Sequence, residues 1–296
     1  MTLPKKTDSK EVGLDLSVAL AKYFFNTDYL HYGFWTSDLK LDVSNLAKAQ
    51  ENHSNFLISK LPEKIDKILD VGCGTGKLAA QLMEKGYHVD CVSPSKILAN
   101  HARRMLGGKS TIFECKYQDL KTENRYDLIL FSESFQYVSM EEAFQNTVNF
   151  LNDDGYLLMM DFFKTDAEGE SPLGGGHHLK EFYNTISKFP FKPRHDIDIT
   201  TETAPNLKLI DDFLTRVGIP VWNLILSYLA GTSPILLKLL KWKFKKKIEN
   251  IERKYLSGTR NAENFALFKS YRFLLYQKNG TGRNEQRGIL GPLKKK

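Results

Sequence analysis

Ile68-Leu69-Asp70-Val71-Gly72-Cys73-Gly74-Thr75-Gly76-Lys77 decides the fold of this 296-residue chain. A short buried strand runs directly into alternating glycines, and a helical run from Lys77 to Lys85 follows. Gly72, Gly74 and Gly76 permit a tight turn and let a ligand approach the backbone closely. The free N–H groups that open the following helix favour an anion, such as a carboxylate, at that turn. The spacing is G-x-G-x-G rather than G-x-G-x-x-G, and the G-K-[ST] of a phosphate loop is missing.

Outward from this turn, strand and helix patterns alternate. Tyr87 to Val92 reads as a strand, Ser95 to Leu106 as a helix and Thr111 to Cys115 as a strand. Tyr126 to Phe131 reads as a strand, Glu141 to Leu151 as a helix and Tyr156 to Phe163 as a fifth strand. Such alternation predicts an α/β fold, a Rossmann-like, doubly wound, mostly parallel sheet covered on both faces. A helical N-terminal cover is expected over residues 1–43, with a helix near Leu16 to Phe25 and the aromatic run Tyr29, His31, Tyr32, Phe34 and Trp35. The main domain is expected over 44–278, opening with Ser44 as N-cap of an amphipathic helix over 44–61. Residues 164–200 read as loop-rich, 207–256 as a C-terminal helical insertion, Phe265 to Gln277 as a late hairpin strand and 279–296 as a disordered basic tail.

The glycine stretch closely resembles the class I S-adenosylmethionine-dependent methyltransferases, and the resemblance spans about residues 44–163. It implies S-adenosyl-L-methionine as cofactor, with Asp70, Gly72, Gly74 and Gly76 at its methionine end. Gln50, on the preceding helix, resembles a position that touches the same end. The family's adenine-side acid matches Asp119 within Gln118-Asp119-Leu120. Residues Phe131 to Tyr137, including Ser132 and Glu133, correspond to the segment lying over the methyl donor. One departure stands out: counting back from Ser93-Pro94 puts Cys91 where the family places its ribose-binding acid. Either Asp90, one residue earlier, serves through a shifted turn, or backbone and Ser93 hold the ribose.

Methyl transfer is an in-line displacement for which the protein must align the nucleophile, exclude water and, for some acceptors, remove a proton. The base candidates are His31, His177, His178, Glu133 and Asp161. His177 and His178 follow Gly174-Gly175-Gly176 in the loop after the fifth strand, near the carboxyl edge of the sheet where α/β sites form. They are the expected bases for a hydroxyl acceptor. His31-Tyr32-Gly33-Phe34-Trp35 is similar to a pocket-covering segment of tocopherol- and sterol-type methyltransferases, which implies that Tyr32 faces the methyl group. Glu133 touches substrate or caps the next helix. The segment after the fourth strand lacks N-P-P-Y or D-P-P-Y, which argues against methylation of DNA bases.

The three cysteines have no C-x-x-C spacing, so neither a disulfide framework nor a metal site is expected. No secretory signal is read at the N-terminus. Gly231 and Pro234 interrupt the most apolar window, Ile219 to Leu240, so no transmembrane segment is read either. A cytoplasmic location is expected. The net charge of +7 concentrates in Lys238 to Lys254 and Lys294 to Lys296. Trp222, Leu224, Ile225, Leu226 and Leu229 lead into Lys241-Trp242-Lys243-Phe244-Lys245-Lys246-Lys247. Apolar helices beside clustered lysines read as a pocket lid with a basic rim, or as a peripheral element on an anionic membrane. The expected acceptor is a small apolar or amphipathic metabolite, such as a lipid, quinol or polyketide. The rival readings are an RNA-directed methyltransferase using the lysines, and a cofactor-binding interaction protein without catalysis.

Overall fold

The computed structural model describes residues 9–169, 171–251 and 258–280. The tail expected over 279–296 falls, from residue 281 onward, outside the described residues, as do the first eight residues and the end of the insertion, 252–256.

The helix α1 (Ser9–Phe25) and an extended segment precede α2 (Leu46–Ser59). Then come β1 (Lys67–Val71), α3 (Lys77–Glu84), β2 (His88–Val92), α4 (Lys96–Leu106) and the short β3 (Ile112–Phe113). They are followed by β4 (Tyr126–Ser132), α5 (Met140–Phe150) and β5 (Leu151–Lys164). The sheet has seven strands in the order β3-β2-β1-β4-β5-β7-β6, where β6 is Phe191–Asp198 and β7 is Lys269–Lys278. Strands β1 to β5 are parallel, and β7 inserts antiparallel between β5 and β6. The architecture is the Rossmann-like α/β fold expected from the sequence.

Local chemistry sets the boundaries. Ser95 accepts from Leu98 N and caps α4, an interaction worth about 1 kcal/mol. Ser44 does not cap α2. Instead Asp42 accepts from the Ser44 amide and hydroxyl and opens a single 3-10 turn that leads into the helix. The loop expected over 164–200 contains α6 (Leu179–Ile186) and edge strand β6. In β6, Pro193 and the exposed charges of Lys192, Arg194 and Asp196 suit an edge but hide the apolar alternation of a strand.

Past β6, α7 (Thr200–Thr203), α8 (Pro205–Phe213), one π turn (Leu214–Gly218) and α9 (Ile219–Thr232) join end to end. Together they form a 33-residue helix, Thr200–Thr232, which is long and apolar enough to cross a membrane by length and composition. The sequence reading takes Gly231 and Pro234 as interruptions of the apolar window; the helix runs through Gly231 to Thr232 and ends before Pro234, which opens the next helix. Pro220 follows directly on the π turn, at the start of α9. The root of the helix is bound to the domain: Thr203, Asn206 and Leu207 are buried, whereas α9 buries no residue. Helix α10 (Pro234–Ile251) turns back at Ser233, and α11 (Ala262–Phe268) leads into β7.

Candidate active site

The carboxyl ends of β1, β4, β5 and the adjoining part of β7 converge under the N-terminal cover. The three loop glycines have φ of 80°, 56° and 85°, which side chains rarely adopt. They serve different ends. A Cβ on Gly72 would overlap Ser134, and one on Gly76 would come within 3.0 Å of Ala102 Cα, so these two are dictated by packing. A Cβ on Gly74 would meet only Leu30, at 4.0 Å. Gly74 therefore faces space that protein atoms leave open. Ser132 Oγ and Asp70 Oδ2 are buried and have no hydrogen-bond partner. An open glycine surface beside unpartnered buried oxygens fits a polar ligand in this cleft.

The cover is tied to the loop. Thr75 Oγ1 donates to Asp28 O at 2.5 Å, and Lys77 Nζ lies 5.9 Å from the Tyr29 ring centre. On the other side, the Glu11 carboxylate accepts from Ser95 Oγ and Ile97 N at the head of α4. Gln50 holds the cover instead of facing a cofactor: its Oε1 accepts from Thr27, and its Nε2 donates to the carbonyls of Tyr29 and His31. Gln50 is nominated by resemblance to a family position on this helix; in the structure its amide is taken up within the protein.

Asp90 is not brought to the site. Its carboxylate accepts from Thr111 N, Asn124 Nδ2 and Tyr126 OH, so its strand register turns it to the opposite side from the glycine turn. Cys91, at the expected ribose position, is fully buried. Ser93 is buried as well, its hydroxyl donating to Ser95 O at 3.2 Å. Asp119 stands exposed at the end of a 3-10 turn, with Leu120 buried beneath it. Gln118 instead lines a groove against α5 with Glu141, Glu142 and Asn146.

Neither histidine proposed as base faces the cleft. His177 Nε2 lies 3.2 Å from Phe135 O and 2.9 Å from Val138 O, both acceptors, so that nitrogen carries the proton and clamps the turn after β4. His178 is exposed at the head of α6. His177→Gln is expected to leave kcat near wild type while costing about 1 kcal/mol of stability. Turnover and chemical denaturation of that variant check it; a hundredfold loss of kcat would return His177 to the mechanism.

Glu133 stands at the tip of β4 with φ of 53°, a conformation costly for any side chain but glycine. Its Oε1 accepts from Tyr32 N and from Tyr271 OH, both at 2.7 Å. Among the described residues no hydrogen bond reaches Oε2. Burial pushes this carboxyl up to about 8, opposed by the two donors. Asp161, on β5, is raised to about 7 by burial, and it accepts from Gln136 and Phe162 amides. Tyr32 stacks on Phe162 at 6.2 Å, and Phe265 and Tyr271 complete an aromatic box whose rings touch one another and which is joined to Glu133 through the Tyr32 amide and the Tyr271 hydroxyl. The Tyr32 phenol is raised far above its ordinary value by burial, which leaves it an aromatic wall and not a base. Lys269, lying over Phe162, donates to Gly175 O at 2.6 Å and closes the side of the box.

Sequence reasoning missed Tyr271, Lys269 and His53. The period-2 alternation of Lys269, Tyr271, Phe273 and Leu275 marks one face of β7 and could have signalled the first two. His53 follows Gln50 by one helical turn on the buried stripe of α2.

Asp70, raised to about 7 by burial, gives a stability prediction. A carboxyl whose folded pKa exceeds its unfolded value contributes stability fully present below the unfolded value near 4, lost as pH rises through about 7. Asp161 acts in the same direction. The melting temperature should therefore fall between pH 5 and pH 8, and Asp70→Asn should flatten that fall; an unchanged slope in the variant would refute this origin.

A mostly parallel sheet, a glycine turn facing open space and a cover tied over the strand ends define a Rossmann-like fold with room for a cofactor at the turn. Residues 68–155 match the family model described as a methyltransferase domain, which makes this an S-adenosylmethionine-dependent methyltransferase domain. An uncharacterized methyltransferase of Staphylococcus carnosus is 25% identical over 174 residues, 57% of this chain and 77% of that protein. The chain spans less than half of two further curated methyltransferases. Among solved structures, the [4+2]-cyclase SpnF superposes with TM-score 0.66 at 15% identity, covering 91% of this chain and 93% of that one. Geranyl diphosphate C-methyltransferase from Streptomyces coelicolor A3(2) superposes with TM-score 0.63 at 14% identity, covering 93% and 100%. These structures share the fold.

Proposed function

We propose that this enzyme methylates a small apolar or amphipathic acceptor at an atom that must lose a proton, with Glu133 as general base. The carrying observation is the Glu133 carboxylate: two donors hold Oε1, no hydrogen bond from the described residues reaches Oε2, and both donors belong to residues of the aromatic box. S-Adenosylmethionine, held by the Gly74 turn with Asp70 and Ser132 beside it, would supply an already activated methyl group. The chain's own residues do the rest. Tyr32, Phe162, Phe265 and Tyr271 exclude water and present an apolar wall to the acceptor. Oε2 of Glu133 takes the proton of a hydroxyl or an acidic carbon as the nucleophile attacks. A neutral amine, which can attack before deprotonation, needs no such group, so oxygen or carbon acceptors are favoured. Since the base must be ionised, turnover should rise with pH through about 8 and be lost as pH falls below it. Support for an apolar acceptor comes from the box and, by analogy of fold alone, from the geranyl diphosphate enzyme.

The test is release of S-adenosylhomocysteine by the full chain given the lipid-soluble and aqueous fractions of a metabolite extract, with product mass analysis. Release with the lipid-soluble fraction is expected. Release with RNA alone, or no release with any fraction, would overturn the reading.

The same reading puts the enzyme in the cytoplasm, peripherally on an anionic membrane. Residues 217–237 carry no charge, and Leu224, Tyr228, Ile235 and Trp242 are strongly exposed. Lys241, Lys243, Lys245 and Lys246 follow on α10, all exposed. Insertion into one leaflet fits better than spanning. The root of the long helix is buried in the domain, α9 alone is only about 21 Å long, and a full crossing would draw the α10 lysines into the hydrocarbon. The expected result is co-sedimentation with phosphatidylserine vesicles and not with phosphatidylcholine vesicles. It should weaken with salt and disappear when those four lysines become Gln. Indifference to both vesicles at low salt would leave the hairpin without a membrane role.

A further inference from the structure

We propose that Tyr271 and His53 are positioning residues, a hydrogen-bonded chain behind Glu133 that sets how tightly its carboxylate holds a proton. The inference rests on the reading of Glu133 as the base and deepens it. Tyr271, opposite Phe162 in the β5–β7 ladder, places its hydroxyl 2.7 Å from Glu133 Oε1 and 2.9 Å from His53 Nε2. His53 comes from α2 and is fully buried. Three elements far apart in sequence therefore meet in one line of hydrogen bonds.

The direction of that line follows from the inventory of protons. A phenol has one proton to give. An ionised carboxylate is the stronger acceptor, so the proton goes to Glu133 and the phenol oxygen accepts from His53. Nε2 of His53 then carries its proton, and Nδ1 is the bare nitrogen. Nδ1 is buried with no hydrogen-bond partner. Such a group calls for a reason; here it accompanies a histidine locked in one tautomer. His31 stacks on His53 at 4.2 Å with its own ring engaged by Tyr32 O and Ser54 Oγ. Burial lowers both imidazoles, His31 to about 4, so they stay neutral while Glu133 titrates.

The groups facing Glu133 come from every side. Tyr32 reaches it from the cover, Tyr271 from β7, Asp161 from β5 and Tyr137 from the turn after β4. Arg260 acts on Tyr32. Asp161 disfavours the ionised carboxylate, whereas the Tyr32 amide and Tyr271 hydroxyl favour it. Of the two donors, only Tyr271 is a side chain, so it is the one a substitution can remove. Taking it away stabilises the protonated form further and raises the pH at which the base becomes available.

The experiment follows the protonated-carboxyl infrared band of the full-length protein against pH, with no acceptor added. Subtracting the spectrum of Glu133→Gln isolates Glu133 from Asp161 and Asp70. The wild-type midpoint should lie near 8. Tyr271→Phe should move it upward by about one pH unit, a tenfold change in the proton equilibrium. His53→Leu should move it the same way by less, and His53→Gln, whose amide can still donate, should restore it. Melting curves exclude unfolding, and the two His53 variants decide the matter if Tyr271→Phe does not fold. An unmoved midpoint in Tyr271→Phe, or equal midpoints in His53→Leu and His53→Gln, overturns the proposal. If Glu133→Gln retains full S-adenosylhomocysteine release, the base reading fails by itself, while the midpoints still judge the hydrogen-bonded chain.

Discussion

Replacing Glu133 with Gln lowers kcat about 10²–10⁴-fold, the range that loss of a general base produces, while S-adenosylmethionine affinity stays near wild type. Gln keeps the volume and an oxygen that can accept from Tyr32 N and Tyr271 OH, so the aromatic box should hold its shape. It lacks only the ability to take a proton. The loss should also abolish the acid limb near pH 8, because that limb is the ionisation of this carboxyl. Calorimetry with the cofactor and a kcat profile from pH 6 to pH 10 check both halves. Full turnover in the variant would remove Glu133 from the chemistry. Equal loss of kcat and cofactor affinity would instead make it a binding residue.

The glycine turn was legible because its information is local. Strand, turn and helix lie within ten consecutive residues, and each position has a steric reason visible in the sequence. The succession of β1 to β5 along the chain and their parallel pairing followed from alternation alone, though not their order within the sheet. Strand β6 did not, since an edge strand with Pro193 and five consecutive exposed positions has no apolar period to read. Nor could the site be completed from local pattern: His53 and Tyr271 stand 218 residues apart and meet only in the fold. Asp90 and Cys91 show a subtler limit. Sequence identifies the tip of β2, but the facing of one residue depends on what waits on each side, and Tyr126 with Thr111 claims the Asp90 carboxylate. His177 sits near the correct edge of the sheet, yet two carbonyls of the turn after β4 reach its ring first.

Gly74→Val abolishes S-adenosylmethionine binding in a protein that still folds. Gly74 has φ of 56°, so a β-branched residue there is strained, at a cost on the order of 1–3 kcal/mol. That is tolerable for a domain of ordinary stability. The packing argument separates this position from its neighbours. Alanine at Gly72 or Gly76 must push into Ser134 or into the backbone of α4, so those variants should lose stability first. At Gly74 a side chain enters space bounded only by Leu30, the space a ligand approaching the turn must use. One alternative explanation is testable in the same experiment. If valine acted by displacing the cover through Leu30, the double variant Gly74→Val with Leu30→Ala would recover binding. If valine fills the cofactor's own space, the double variant stays dead. Calorimetry and a melting curve on both variants decide it. Wild-type affinity in folded Gly74→Val would remove the turn from the cofactor site, whatever its resemblance to such turns elsewhere.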